Sequence, residues 1–111
     1  MSRRSALAEF EIQVMLSVKR LGEEAYGARI RHEIEERGGR RVSMGAVYST
    51  LGRLEDRGLL RSSESDPMPV RGGRSRKVYA PTAGGRAALD ETAAMLLRMM
   101  DGLAFGSGRG S

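Results

Sequence analysis

Apolar residues recur along this chain at helical spacing in four separate stretches. In residues 5–21, SALAEFEIQVMLSVKRL, one stripe is formed by Leu7, Phe10, Val14, Val18 and Leu21, and a second by Ile12, Met15 and Leu16. Positions three and four apart share a helix face, so this segment is predicted to be a helix with two apolar sides and two packing partners. Residues 25–37, AYGARIRHEIEER, set Tyr26, Ile30 and Ile34 among charges, and Gly38 and Gly39 stop the run. In residues 43–60, SMGAVYSTLGRLEDRGLL, Ser43 suits an N-cap; Met44, Val47, Leu51 and Leu54 line one side before Gly58. The last helix spans residues 82–103, TAGGRAALDETAAMLLRMMDGL, with Thr82 as its cap. There Leu89, Ala93, Leu96, Met100 and Leu103 follow the alternating three-and-four spacing of a coiled-coil seam, widened by Leu97 and Met99.

Between the third and fourth helices the periodicity turns extended. LLRSSES at 59–65 and RKVYA at 76–80 can pair as short strands around DPMPVRGG, a stretch rich in proline and glycine. The predicted fold is mainly α with a small β-hairpin: a winged helix-turn-helix with a C-terminal helix. Residues 1–81 form the winged-helix domain, 82–103 a helix too long for so small a domain to cover, and 104–111 a low-complexity tail expected to be disordered. The uncovered stripe on helix 5–21 suits the long helix of a second copy, so the chain is predicted to be a homodimer. Its interface is assigned to Leu89, Ala93, Leu96, Met100 and Leu103.

The third helix poses a question of its own. Its side opposite the apolar stripe is Gly45, Ser49, Gly52, Arg53 and Asp56, with Tyr48 on the flank. Each glycine inside a helix costs roughly 1 kcal/mol relative to alanine, so stability alone does not account for this face. A bare face admits something large at close range: either a DNA major groove, which accepts one α-helix, or another helix.

Charge favours the groove. Of the 111 residues, 19 are basic and 14 acidic, a net charge of +5. The whole excess lies in residues 40–77, where Arg40, Arg41, Arg53, Arg57, Arg61, Arg71, Arg74, Arg76 and Lys77 face Glu55, Asp56, Glu64 and Asp66. A one-signed excess confined to one segment is the footprint of a polyanion partner. The chain has no cysteine, and its single histidine, His32, lies among charges, which argues against thiolate chemistry, a metal site and acid–base catalysis. No phosphate loop or clustered carboxylates in an apolar setting suggest an enzyme, and no cofactor is implied. No apolar run approaches the ~20 residues of a membrane span, and no signal peptide is evident, so a soluble, cytoplasmic protein is expected.

In order and spacing, AYGARI, GAVYSTLGRLEDRGLL and GGRSRKVYAPTAGGRAAL resemble the PadR family of bacterial transcriptional regulators, over residues 7–103. The resemblance implies a winged-helix homodimer that binds palindromic operator DNA, usually as a repressor, in the short form without a large effector domain. The chain departs from the family pattern at Pro81, where an aliphatic residue is usual, and it has no tryptophan. On both readings Ser43, Gly45, Ser49 and Arg53 face bases and phosphates, and Tyr48 bonds a phosphate or buttresses the helix. Arg53 is the candidate base reader, because its fork matches the two acceptors of guanine. Arg71, Arg74, Arg76 and Lys77 are assigned to phosphates around the wing. Tyr26 and Gly27 are placed either at a phosphate or, for Tyr26, in the core. A small-molecule effector is left open, and the competing functions are a winged-helix protein-interaction module and a non-specific nucleic-acid binder.

Overall fold

The computed structural model describes residues 6–65 and 76–106. Arg71 and Arg74, with Arg3, Arg4 and residues 107–111, lie outside the described residues. Helix α1 is Glu9–Leu21, α2 Gly27–Gly38 and α3 Met44–Asp56; strands β1 (Leu60–Glu64) and β2 (Lys77–Pro81) follow, then α4, Ala83–Met100. A single 3-10 turn, Gly22–Glu24, links α1 to α2. The strands pair antiparallel with Ser62 opposite Tyr79, and Pro81 ends β2 opposite Leu60, a terminal position that a residue without an N–H tolerates. The expected winged helix-turn-helix, mainly helical with one hairpin, is the fold observed.

The core is where the predicted stripes meet. Val14, Met15 and Val18 of α1, Ile30 and Ile34 of α2, and Val47, Leu51 and Leu54 of α3 are buried. Leu59, Leu60, Tyr79, Ala88 and Leu89 close it from the hairpin side. Met15, from the second stripe of α1, belongs to this core; Leu16 beside it is half exposed. The first turn of α4 explains the difference. Gly85 sits so close to the Leu59 carbonyl that a Cβ there would overlap its oxygen and come within 3.0 Å of Met15 Cε. Small size at position 85 therefore lets α4 cover Met15.

Local bonds set the ends of the elements. Ser43 Oγ accepts the Ala46 N–H (3.0 Å), starting α3 as its N-cap. Gly39 takes the left-handed conformation (φ 75°) that ends α2, and Gly58 (φ 75°) turns the chain from α3 into β1. Thr82 does two jobs: its hydroxyl accepts the Gly85 N–H (3.0 Å) and donates to the Gly58 carbonyl (2.6 Å). The Tyr79 N–H donates to the Ala25 carbonyl (2.9 Å), tying β2 to the start of α2.

Helix α4 ends at Met100, so Leu103 lies in the turn beyond it, not in the helix. Leu89 is 6% exposed within this protomer, buried in its own core and withdrawn from the surface assigned to it. From Met95 onward the helix leaves the body, with Met95, Leu96, Leu97, Met99 and Met100 exposed. Among the described residues no helix is long and apolar enough to cross a membrane.

Candidate nucleic-acid interface

Helix α3 is held from behind and on both flanks, and its front is left open. Val47, Thr50, Leu51 and Leu54 fix its inner side in the core. At about 100° per residue, Gly45, Ser49, Gly52 and Asp56 then point outward. Among the described residues a Cβ at Gly52 would meet nothing within 4 Å beyond its own helix backbone, and one at Gly45 only Ser43 Oγ, at 3.8 Å. Among the described residues, no other helix of the chain packs on this face. The helix–helix account of the glycines therefore fails within one protomer.

The flanks are built differently. On one, Tyr48, half exposed, lays its ring over Gly27 at the start of α2. A Cβ at position 27 would overlap the Tyr48 hydroxyl and come within 2.6 Å of Cζ, so the glycine makes room for the ring. On the other flank, Arg53 Nε lies 3.7 Å from Glu11 Oε2, and Arg53 Nη2 donates to Thr50 Oγ1 (3.2 Å). Arg57, one turn further on, donates to Glu11 Oε1 (3.1 Å). Ser43, Gly45, Tyr48, Ser49 and Arg53 are all exposed and share this one side of the domain.

The wing contributes through its base. Arg76 places its guanidinium 3.9 Å over the Tyr26 ring, a cation–π contact. Tyr26 precedes Gly27, so Arg76, Tyr26, Gly27 and Tyr48 form a continuous path from the hairpin to α3. Lys77 is exposed, its ammonium 6.0 Å from the Tyr79 ring centroid.

The turn leading into α3 carries the clearest electrostatic signature. Glu35 Oε2 accepts the Val42 N–H at 3.0 Å. That backbone bond, with the nearby Arg31 and Arg41 charges, outweighs desolvation and lowers the Glu35 pKa. The α2–α3 connection is thus pinned to α2 by a carboxylate that favours its charged form.

Two features escaped the sequence reading. One is the stacking of Arg76 on Tyr26, which joins residues fifty apart and has no local signature. The other is Glu11, which is 7% exposed. Its signal was present: Glu11, Val14, Met15 and Val18 are spaced as one helix stripe, so a carboxylate lies on the core side of α1. A buried carboxylate calls for cationic partners, and among the described residues Arg53 of α3 and Arg57 just beyond it supply them.

Residues 15–91 match the model of the transcriptional regulator PadR-like family. The chain belongs to the PadR-like family. The match begins on α1 and stops at residue 91, just before α4 leaves the body of the domain. Transcriptional regulator Rv3488 of Mycobacterium tuberculosis is 48% identical over 68 residues, which is 61% of this chain and 59% of that protein's length. The structure of RosR from H. salinarum superposes with a TM-score of 0.67 at 31% identity, over 88% of this chain and 81% of that one. A PadR family transcriptional regulator from Eggerthella lenta gives a TM-score of 0.61 at 30% identity, covering 84% of this chain and 82% of that one. The family it belongs to is described as one of transcriptional regulators.

Proposed function

We propose that this PadR-like protein binds duplex DNA sequence-specifically as a homodimer on a palindromic operator, and that the outcome is repression. The open, glycine-bearing front of α3, with Arg53 at its edge, is the observation that carries this reading. Nothing else in the described chain occupies it, it belongs to the segment holding the whole positive excess, and its small residues permit close approach to a groove. Arg76 and Lys77 supply phosphate contacts beside it. The apolar side chains of α4 beyond the protomer core, together with Leu16 of α1, supply a surface for a second copy. A dimer seated on a promoter excludes other proteins from the same bases, which favours repression.

Selection of bound duplexes from a random pool by the purified protein tests the proposal. The expected product is a palindrome whose half-sites lie about one helical turn, ~10 bp, apart. Affinity should fall steeply with salt, and transcription from a template carrying the site should drop on adding the protein. Equal competition by random duplex would reduce the protein to a non-specific binder, and no duplex binding at low salt would sink the proposal.

A further inference from the structure

The Glu11 carboxylate does more than cap α1. Its Oε1 accepts the Ala8 N–H at 2.9 Å, beside the backbone bond from the Ile12 N–H to the Ala8 carbonyl (2.9 Å) that closes the first turn. The same carboxylate also gathers two guanidinium groups, from Arg53 of α3 and from Arg57 just past its end. Arg57 Nη1 lies at 3.1 Å, with Arg57 Nη2 donating to the Ala6 carbonyl, also at 3.1 Å; Arg53 Nε lies at 3.7 Å. Charge this deeply buried is stabilised only by such partners, and it constrains them in return.

Arg53 is constrained in a particular way. One edge of its guanidinium is turned to Glu11, and Nη2 is anchored on Thr50, a residue only 3% exposed. Yet 55% of the side chain stays exposed, at the rim of the open front of α3. An arginine on a bare helix surface samples many rotamers. This one is braced from behind by Glu11 and Thr50, with more than half of its side chain toward solvent. A fork held in this way has what bidentate recognition of a guanine needs.

We propose that Glu11 is a positioning residue for base reading: without touching DNA, it orients Arg53 and so sets the base preference where Arg53 meets the groove. This rests on α3 being the helix that enters DNA. Glu11→Gln keeps the shape and an acceptor for the Ala8 N–H but removes the charge that holds Arg53. Titration of the full-length variant against a panel of single-base changes in the selected site should show a loss of discrimination of about tenfold at one base pair per half-site. Arg53→Ala should lose discrimination at that same pair, and the double variant should lose no more than the single ones. Affinity for random duplex should stay the same or rise slightly, because a negative charge has gone.

A full base profile in a folded Glu11→Gln variant, or a loss spread evenly over all positions, would overturn the proposal. If Glu11→Gln does not fold, Thr50→Val matches the shape of a core position and frees the other anchor; a partial loss at the same base pair is expected, and an unchanged profile counts against the proposal. The unmodified protein gives an independent reading by NMR. In the absence of DNA the Arg53 Nε–H should be ordered, and a freely averaging Arg53 side chain would defeat the idea whatever the variants do. The two proposals fail separately. Absence of any preferred duplex for the wild-type protein removes the DNA reading itself, whereas an Arg53→Ala profile identical to wild type leaves DNA binding intact and removes only the role of Glu11.

Discussion

Gly45 and Ser49 separate function from stability at single positions. Among the described residues a Cβ at position 45 would meet only Ser43 Oγ, at an ordinary 3.8 Å, and leaving glycine behind favours the helix by up to ~1 kcal/mol. Gly45→Leu and Ser49→Leu are expected to melt no lower than wild type and to lose operator binding, because the added bulk stands where the groove would be. Lower melting with retained binding would reverse the assignment. Glu35 yields a pH dependence. Its pKa is lowered in the fold, so the stability it contributes is complete above the ordinary carboxylate value of about 4.3 and is lost as pH falls through the lower folded value. Glu35→Gln should therefore melt lower than wild type at pH 7 and show a shallower fall between about pH 5 and pH 2. Parallel falls for the two proteins would show that the bond to Val42 is not what stabilises the turn.

At the scale of elements, adjacent glycines at the start of α4 make opposite predictions. A Cβ on Gly84 meets its nearest neighbour, the Gly58 oxygen, at an ordinary 3.5 Å, whereas one on Gly85 overlaps a backbone oxygen that cannot move aside. Gly84→Ala should be neutral or stabilising by up to ~1 kcal/mol, and Gly85→Ala destabilising by roughly 1–3 kcal/mol, as read by thermal or denaturant melts. Equal effects would mean that α4 does not sit as closely as described. The same contact shows what could be read from the sequence. All four helices and the hairpin were legible, because stripes at helical spacing, Ser43 and Thr82 as caps and the glycines at 39 and 58 are local signals. What covers each stripe was not. Periodicity assigned Met15 to an outer stripe and Leu89 to an interface, yet one residue, Gly85, lets α4 close over Met15 and carries Leu89 into the core. For the candidate site, Ser43, Gly45, Tyr48, Ser49 and Arg53 do share one exposed side, since all lie on a single helix. Spacing places Glu11 on the core side of α1, but its arginine partners, like the Tyr26–Arg76 stack, come from distant segments that no spacing encodes.

The whole molecule is extended for its length. Its radius of gyration is 15.9 Å, against about 13 Å for a compact chain of this size. The second half of α4 stands clear of the core with its apolar side chains bare. Leu96→Glu together with Met100→Glu should convert a dimer into monomers, measured by light scattering, while leaving the circular dichroism of the winged-helix body nearly unchanged. A double variant that remains dimeric would move the interface elsewhere. Loss of dimerisation should also weaken operator binding far more than binding to a single half-site.

The Thr82 hydroxyl, shared between the Gly58 carbonyl and the Gly85 N–H, makes the base of α4 a fulcrum without slack. Beyond it the helix runs for 18 residues, about 27 Å, and only from Met95 onward does it stand clear of the core. The turn at the base is the one that ends α3, and Leu59 N–H is bonded there to the Leu54 carbonyl (2.9 Å). The base of α4 and the last turn of α3, the helix that carries the open face, thus share one bonded turn.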